Sequence, residues 1–436
     1  MDELFDLPPT EAGAGEPEGR ARPRLQRPNR NQITLRPTDL ESLLPPDHRA
    51  RAVWAFVEGL DLGAFHVRIR AVEGHSGRPP IDPAILVALW LYATLEGVGS
   101  ARALDRLCDE HDAYRWLAGG VGVNYHTLAE FRVAEADLLD GLLTQSVAAL
   151  LVSGGATLER VAHDGVRVRA SAGASSYRSR GGLQKALAEA GAQVKRLRAE
   201  LDQAPAATSR RQAAARARAA REREERVRRA LLDVLPELQA AKRRGGKAPE
   251  EARASTTDSD ARVMRMGDGG YRPAYNGQYT TDAGSGLVCG VAVTNVGSDR
   301  AQLAPLVERL ERSFGRRPGE LLADGGYVNA NDIEALEGSG IAIYVPVERQ
   351  RRRRGLTAKL KHGSGLDAWR ARMATDEGKA VYRQRGATAE WVNALARNRG
   401  LQQLRVRGLA KVRSVLLWFA LAHNVERLRA LGAPTG

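Results

Sequence analysis

Residues 158–172 read LERVAHDGVRVRASA. Val161, Val166 and Val168 make this a β-favouring run, and His163-Asp164-Gly165 sets an acid in its middle. The stretch reads as a strand carrying Asp164. Downstream, Leu183, Leu187, Ala190, Val194, Leu197 and Leu201 step by four and three, Pro205 interrupts, and Val227, Leu231 and Leu238 resume the helical period. Residues 181–250 therefore read as a helical hairpin inserted after the strand. Its faces are crowded with Arg and Glu, which points to a solvated surface with i,i+4 pairs. A DNA-contacting arm is the alternative.

Past a Gly/Lys/Pro break at 245–249, the strand period returns over 276–283 and 287–295, with Gly284-Ser285-Gly286 as the turn between them. Residues 300–314 are helical, 320–323 form a short strand leading into Asp324-Gly325-Gly326, and 341–345 form a further strand ended by Pro346. The order is β, helical insert, β, β, α, β, α, β, α. This is the order of an α/β ribonuclease H-like fold over 155–180 and 251–430, interrupted by the helical insertion.

Ahead of the strand, residues 36–154 carry helix-start signals at Asp82-Pro83, at Ser100, and at Thr127 with Glu130 three residues on. They read as an all-α domain. Short helices joined by glycine-containing turns, the last opening at His126-Thr127 and carrying Arg132, suit a helix-turn-helix-like DNA-binding domain. Helical packing without DNA contact is the plain alternative. Residues 1–35, rich in Pro, Gly, Glu and Arg, hold too few apolar side chains to order and read as a disordered tail.

Composition narrows the class. The 436 residues are 43% apolar, enough for real cores, and the longest apolar run, Ile85 to Leu95, is far short of the roughly 20 residues that span a bilayer. With an acidic, proline-rich start, a cytoplasmic, nucleoid-associated protein with no membrane partner is expected. Cys108 and Cys289 stand far apart without histidines at ligand spacing, so neither a disulfide framework nor a zinc site is indicated. A net charge of +14 points to a polyanionic partner, nucleic acid first. The excess of arginine over lysine follows codon usage as readily as chemistry, so the charge carries the argument.

Three acids stand out by position: Asp164 in the first strand, Asp324 at the end of the fourth, and Glu390 on the helix after the last strand. The carboxyl ends of neighbouring strands converge on a crevice, and two aspartates meeting there repel unless a cation sits between. Mg²⁺ (or Mn²⁺) suits such a pair because it takes oxygen ligands and keeps waters for a phosphate. A glutamate from a packed helix completes a site for two ions, one activating the attacking oxygen and one stabilising the leaving oxygen at phosphorus. Taken singly, an Asp-Gly is commonly a turn and a glutamate on a basic helix a salt-bridge partner.

Longer stretches bring a resemblance. STTDSDARVMRMGDGGYRPAYNGQ (255–278), LADGGY (322–327), YRQRGATAEWVNALARNRGL (382–401), the N-terminal stretch 77–132 and the ending GLAKVRSVLLWFALAHNVERL (408–428) together resemble bacterial insertion-sequence DDE transposases of the eleven-eighty-two group. The likeness runs from about 36 to 428. It implies that Asp164, Asp324 and Glu390 are the catalytic, metal-binding triad. It also implies that Tyr382 and Arg385 precede the glutamate, and that Arg397, where the family usually has lysine, follows two helical turns later to hold the DNA backbone. Trp391 stands where a proline often follows the glutamate; it stacks on a base or packs in a core. The cluster Arg349 and Arg351 to Arg354, with Arg351 and Arg352 at its centre, reads as a phosphate clamp or a solvated loop.

The resemblance thus implies a DNA transposase that binds the terminal inverted repeats of an element, cleaves them, and joins the 3′-hydroxyl ends to target DNA, acting as a homodimer because two ends are paired. A catalytically inactive DNA-binding descendant and a metal-dependent nuclease without strand transfer are the alternatives.

Overall fold

The computed structural model describes residues 39–69, 79–134, 136–202, 207–347 and 363–432. The tail over 1–35 and the cluster containing Arg351 and Arg352 lie outside the described residues. Leu40–Gly436 form one compact unit.

The first helices are α1 (Arg49–Glu58), α2 (Gly63–His66), α3 (Pro83–Leu95), α4 (Ala101–Glu110), α5 (Asp112–Ala118), α6 (Tyr125–Ala134) and α7 (Ala136–Val152). Two begin where the sequence signals them: Asp82 Oδ1 accepts from Ala84 N at 2.8 Å with Pro83 in the first turn, and Ser100 Oγ accepts from Ala103 N at 3.4 Å. The third begins earlier than its signal. Asn124 Oδ1 takes both the His126 and Thr127 amides at 3.0 Å, so Asn124 caps α6 and Thr127 lies inside it. Between α5 and α6, Gly119 and Gly120 have φ of 59° and 78°, a left-handed turn that side chains resist.

Strand β1 (Arg160–Arg169) follows, then β2 (Tyr177–Arg178) and the helices α8 (Arg180–Asp202), α9 (Ala207–Arg229) and α10 (Leu235–Arg244), the last two joined through a π-helical turn at Ala230–Val234. The chain returns through β3 (Ala254–Ser255), which pairs antiparallel with β2 and ties together the entry and exit of these helices. Next come β4 (Arg262–Arg265), β5 (Tyr271–Asp282), β6 (Val288–Thr294), α11 (Leu303–Phe314), β7 (Glu320–Leu322), α12 (Ala330–Gly338) and β8 (Ala342–Tyr344). The chain ends with α13 (Ser364–Ala374), α14 (Asp376–Arg383), α15 (Trp391–Asn398) and α16 (Leu409–Leu431).

The sheet is mixed. β1 lies between β5, antiparallel, and β7, parallel, while β8 extends the parallel side. β4 and β6 share the other edge of β5, β4 along its first residues and β6 along the rest. A mixed sheet of this order with flanking helices is compatible with a ribonuclease H-like fold. β2, β3 and β4 go beyond the sequence reading, and β5 starts at Tyr271 rather than 276. Tight turns and two-residue ladders carry too little periodicity to be read.

Helix α16 holds the unit together. It is apolar all round and buried almost continuously from Val412 to Val425, as a helix enclosed on all sides must be. α3, α6 and α7 pack on it from one side and β5 and β6 from the other, so the N-terminal helices and the sheet share one core. Trp90 Nε1 donates to Leu128 O and Trp418 Nε1 to Arg132 O, both at 3.0 Å, fastening α6 to α3 and α16. Asn424 both accepts from Val288 N at 2.8 Å and donates to Val288 O at 2.9 Å, closing the backbone of β6 from a helix. Gly277 lets α16 lie close: a Cβ there would stand 2.9 Å from Leu416 Cδ1. At the helix start, Asp258 accepts from Gly408 N at 3.2 Å and Asp260 from Leu409 N at 3.0 Å. Both acids belong to the 255–278 stretch, and their carboxylates sit at the positive end of the helix dipole.

Candidate active site

Register brings the first two acids together. Ala162 pairs with Leu322 at the end of the parallel β1–β7 ladder, and Asp164 and Asp324 each follow two residues later. With a side-chain period of two, both then leave the sheet on the same face. Asp164 is paired with Tyr279, whose ring faces α16 and whose hydroxyl donates to Leu416 O. Burial pushes the Asp164 carboxyl above its ordinary 3.8; Arg385 pulls it down and Asp324 pushes it up again. Oxygen donors that disfavour one another's charge in this way suit a hard divalent cation.

Helix α15 and the turn before it cover this face. Asn393 is buried and donates Nδ2 to Asp164 Oδ2 at 3.0 Å, while Asp164 Oδ1 accepts from Gly165 N at 3.0 Å. Arg385 Nη1 lies 3.6 Å from Asp164 Oδ2, and its Nη2 donates to Glu390 Oε1. One guanidinium therefore serves the first and third acids. Glu390 is the last residue of a π-helical turn, Gly386–Glu390, an irregularity common at functional sites. It follows α13 and α14 rather than standing on the first helix after the last strand, a correction to the sequence reading. Its carboxylate is about half exposed and turned onto Arg385. Among the described residues no three of His, Cys, Asp or Glu gather closely enough to enclose a metal ion.

The opposite face anchors the turn after Asp324. Asp324 Oδ1 accepts from Gly326 N at 2.7 Å, starting a 3₁₀ turn that ends at Tyr327. Tyr327 is fully buried, and its hydroxyl donates to Gln278 Oε1 on β5. Gln278 Nε2 donates to Asp299 Oδ1 at 2.9 Å, Asn276 Nδ2 to the same oxygen at 2.6 Å, and Arg167 reaches Asp299 Oδ2 at 3.2 Å. His163 stacks edge-on against Tyr327 and bonds Thr280 Oγ1 through Nδ1 at 3.0 Å; burial lowers its pKa to about 4 and keeps it neutral.

The other predicted residues divide. Tyr382 lies against Arg385, whose guanidinium carbon is 5.8 Å from its ring centroid. Arg397 is exposed and stands one turn beyond Asn393 on the same face of α15. Trp391 is neither core nor free: 38% exposed, it meets His423 edge-on and has Arg427 over its ring at 5.4 Å. His126 is exposed at the start of α6 and stacks on Tyr125. Arg132 instead turns inward, donating to Gly99 O at 2.7 Å with its guanidinium 4.7 Å from the Trp90 centroid. Asn393, Asp299, Gln278 and Asn276 were missed. The available signals were an Asn three residues after Glu390, and polar side chains on alternate positions of an otherwise well-packed strand.

Residues 250–425 match the family model described as Transposase DDE domain, and residues 38–134 match that described as Transposase domain (DUF772). Asp324 and Glu390 fall inside the first match, whereas Asp164 and the helices after it lie between the two. No curated protein and no solved structure matches the chain. Two transposase models in succession on one chain indicate an insertion-sequence DDE transposase. No helix among the described residues is long and apolar enough to cross a membrane.

Proposed function

We propose that this chain is the transposase of an insertion sequence of the eleven-eighty-two group, cutting the element's terminal inverted repeats and joining the freed 3′-hydroxyl ends to target DNA. The observation carrying this reading is the β1–β7 register, which sets Asp164 and Asp324 at the same level on one face. Asp164, Asp324 and Glu390 would hold two Mg²⁺ or Mn²⁺ ions, which when bound supply activation of the attacking oxygen and stabilisation of the leaving oxygen. Asn393 fixes the Asp164 carboxylate through Oδ2, which leaves Oδ1 with the Gly165 amide as its one protein donor and a lone pair for a metal. Arg385 keeps its charge through Asp164, Tyr382 and Glu390 despite its burial, and on arrival of a scissile strand its guanidinium can exchange carboxylate for phosphate. Arg397 then lies where the backbone of that strand continues. Pairing of two ends calls for a homodimer on DNA. The helical part, 36–154, is the candidate for end recognition, with His126 on its exposed side.

A second reading has an observation in its favour. Glu390 and Asp164 already share the cation of Arg385, an arrangement that also suits an inactive DNA-binding descendant. A cleavage and strand-transfer reaction on labelled element ends separates the readings. Joined products that depend on added Mg²⁺ and vanish in Asp324→Asn support the transposase. Cutting without joining supports a nuclease, and binding without cutting supports the inactive descendant.

A further inference from the structure

Beside the loop between α3 and α4 lies a cavity of about 680 Å³ walled by Arg132, Arg399 and Arg405 with no carboxylate in its lining. Two of these arginines converge: a side chain built on Gly99 would begin 3.7 Å from Arg405 Nε and 3.9 Å from Arg132 Nη2. Arg132 Nε is buried without a hydrogen-bond partner, and neither Arg132 nor Arg405 has an ion-pair partner among the described residues. Burial and the neighbouring Arg405 together lower the Arg132 pKa to about 10. Arg132 is met by the Gly99 carbonyl and the Trp90 ring, and Arg399 by Glu426 at 3.9 Å, so no carboxylate among the described residues balances Arg132 and Arg405, and an anion in the cavity would relieve their repulsion.

The cavity is tied to the acids by backbone. Arg169 N donates to Gln402 O at 3.1 Å and Leu404 N to Arg169 O at 2.8 Å, so the 402–404 segment runs beside the end of β1. Asp164 is five residues back along that strand, or about 16 Å at roughly 3.3 Å per residue. That span matches about five base-pair steps of a duplex at roughly 3.4 Å each. On its far side Arg405 also borders a second cavity, of about 940 Å³, reaching Arg221 and Arg226 of α9 with Arg407 and Lys411. Of the four acids in its lining, Asp258 and Asp260 hold the start of α16, Asp260 also pairs with Arg229 at 2.7 Å and Glu225 with Arg228 at 3.1 Å, which leaves Glu222 among an excess of cations. Arg226 Nε is likewise buried without a hydrogen-bond partner.

We propose that Arg132 and Arg405 form a phosphate cradle for the DNA backbone about five base pairs from the cut, from which the duplex runs along α9 of the helical hairpin. This rests on the transposase reading and extends it, giving the hairpin a role in holding the duplex next to the cleaved end.

The test uses the full chain and end-containing duplexes with one neutral methylphosphonate at each successive backbone position. Wild type, Arg405→Ala and the milder Arg132→Lys are compared for binding and cleavage. Neutralising a phosphate about five positions from the cut is expected to weaken wild-type binding about tenfold, the scale of one charge-assisted hydrogen bond. The same change has no further effect in Arg405→Ala, whose salt slope is shallower by about 0.9. Arg132→Lys shifts the sensitive position or blunts it. A wild-type chain that cuts ends yet shows no position-specific loss overturns the cradle alone, as does Arg405→Ala keeping the full wild-type sensitivity. Competition by inorganic phosphate without any change in DNA binding also overturns it, by showing a free-anion site. A chain that binds no DNA overturns the function beneath it.

Discussion

Asn393, on α15, donates its side-chain amide to Asp164 Oδ2 at 3.0 Å across 229 residues of sequence. The bond joins the helix after Glu390 to the strand of the first acid, so the third acid's helix is positioned by the first. Asn393→Ala removes the donor and leaves Asp164 with Arg385 alone on that oxygen. End cleavage is expected to fall about tenfold or more, with a stability loss of about 1 to 2 kcal/mol. Single-turnover cleavage and denaturant unfolding read the two effects. Unchanged cleavage in a destabilised protein would reduce Asn393 to a structural contact.

Arg385 stands between Asp164 and Glu390, in the part of the site where a cation is wanted. Arg385→Gln is expected to bind Mn²⁺ more tightly, because two carboxylates lose their internal counterion. It is also expected to bind a cleaved end more weakly, because a phosphate partner is gone. Calorimetric titration of Mn²⁺ and end binding check both; affinities moving together, in either direction, would contradict the dual role.

At Gly277 the sheet and α16 touch. A methyl there meets Leu416 Cδ1 at 2.9 Å and Cδ2 at 3.2 Å. Gly277→Ala should cost about 1 to 3 kcal/mol through overpacking, and adding Leu416→Val should recover part of it. Urea unfolding of the single and double variants measures the coupling, and simple additivity would show that the contact is not the cause.

His423, buried in α16, donates Nε2 to Gly286 O at 2.9 Å, and burial, with Arg399 and Arg427 nearby, lowers its pKa from 6.5 to about 4. The unfolded chain then binds more protons than the folded one between those values, so stability is full above about pH 6.5 and is lost as pH falls toward 4. The loss from this group is about 3 kcal/mol, at roughly 1.4 kcal/mol per unit. Unfolding of His423→Gln, which keeps a donor for Gly286, should show a flatter dependence in that window. An identical pH profile would remove His423 from the account.

The sequence made the strand of Asp164, the hairpin of β5 and β6, and the parallel pair β7 and β8 readable, because each alternates or runs apolar between clear turns. It did not reveal that Asp258 and Asp260 cap α16 or that Asn424 closes β6, since such bonds join distant segments through single side chains. Asp299 was hidden for the same reason: in a loop it looks like any turn residue, and only the fold places it beside Gln278 and Asn276. Nor was the direction of Arg132 legible, because charge on a helix says nothing of which way it turns. Trp90 and the Gly99 carbonyl draw it inward.

Metal-switched cleavage by Asp324→Cys tests most directly whether Asp324 holds a catalytic metal. A thiolate favours softer ions over Mg²⁺. With wild type cutting in either ion, the variant is expected to bind element ends normally, stay inactive in Mg²⁺, and regain strand cleavage in Mn²⁺. Normal end binding with equal cleavage in both ions, or with none in either, would contradict a metal-holding role for Asp324.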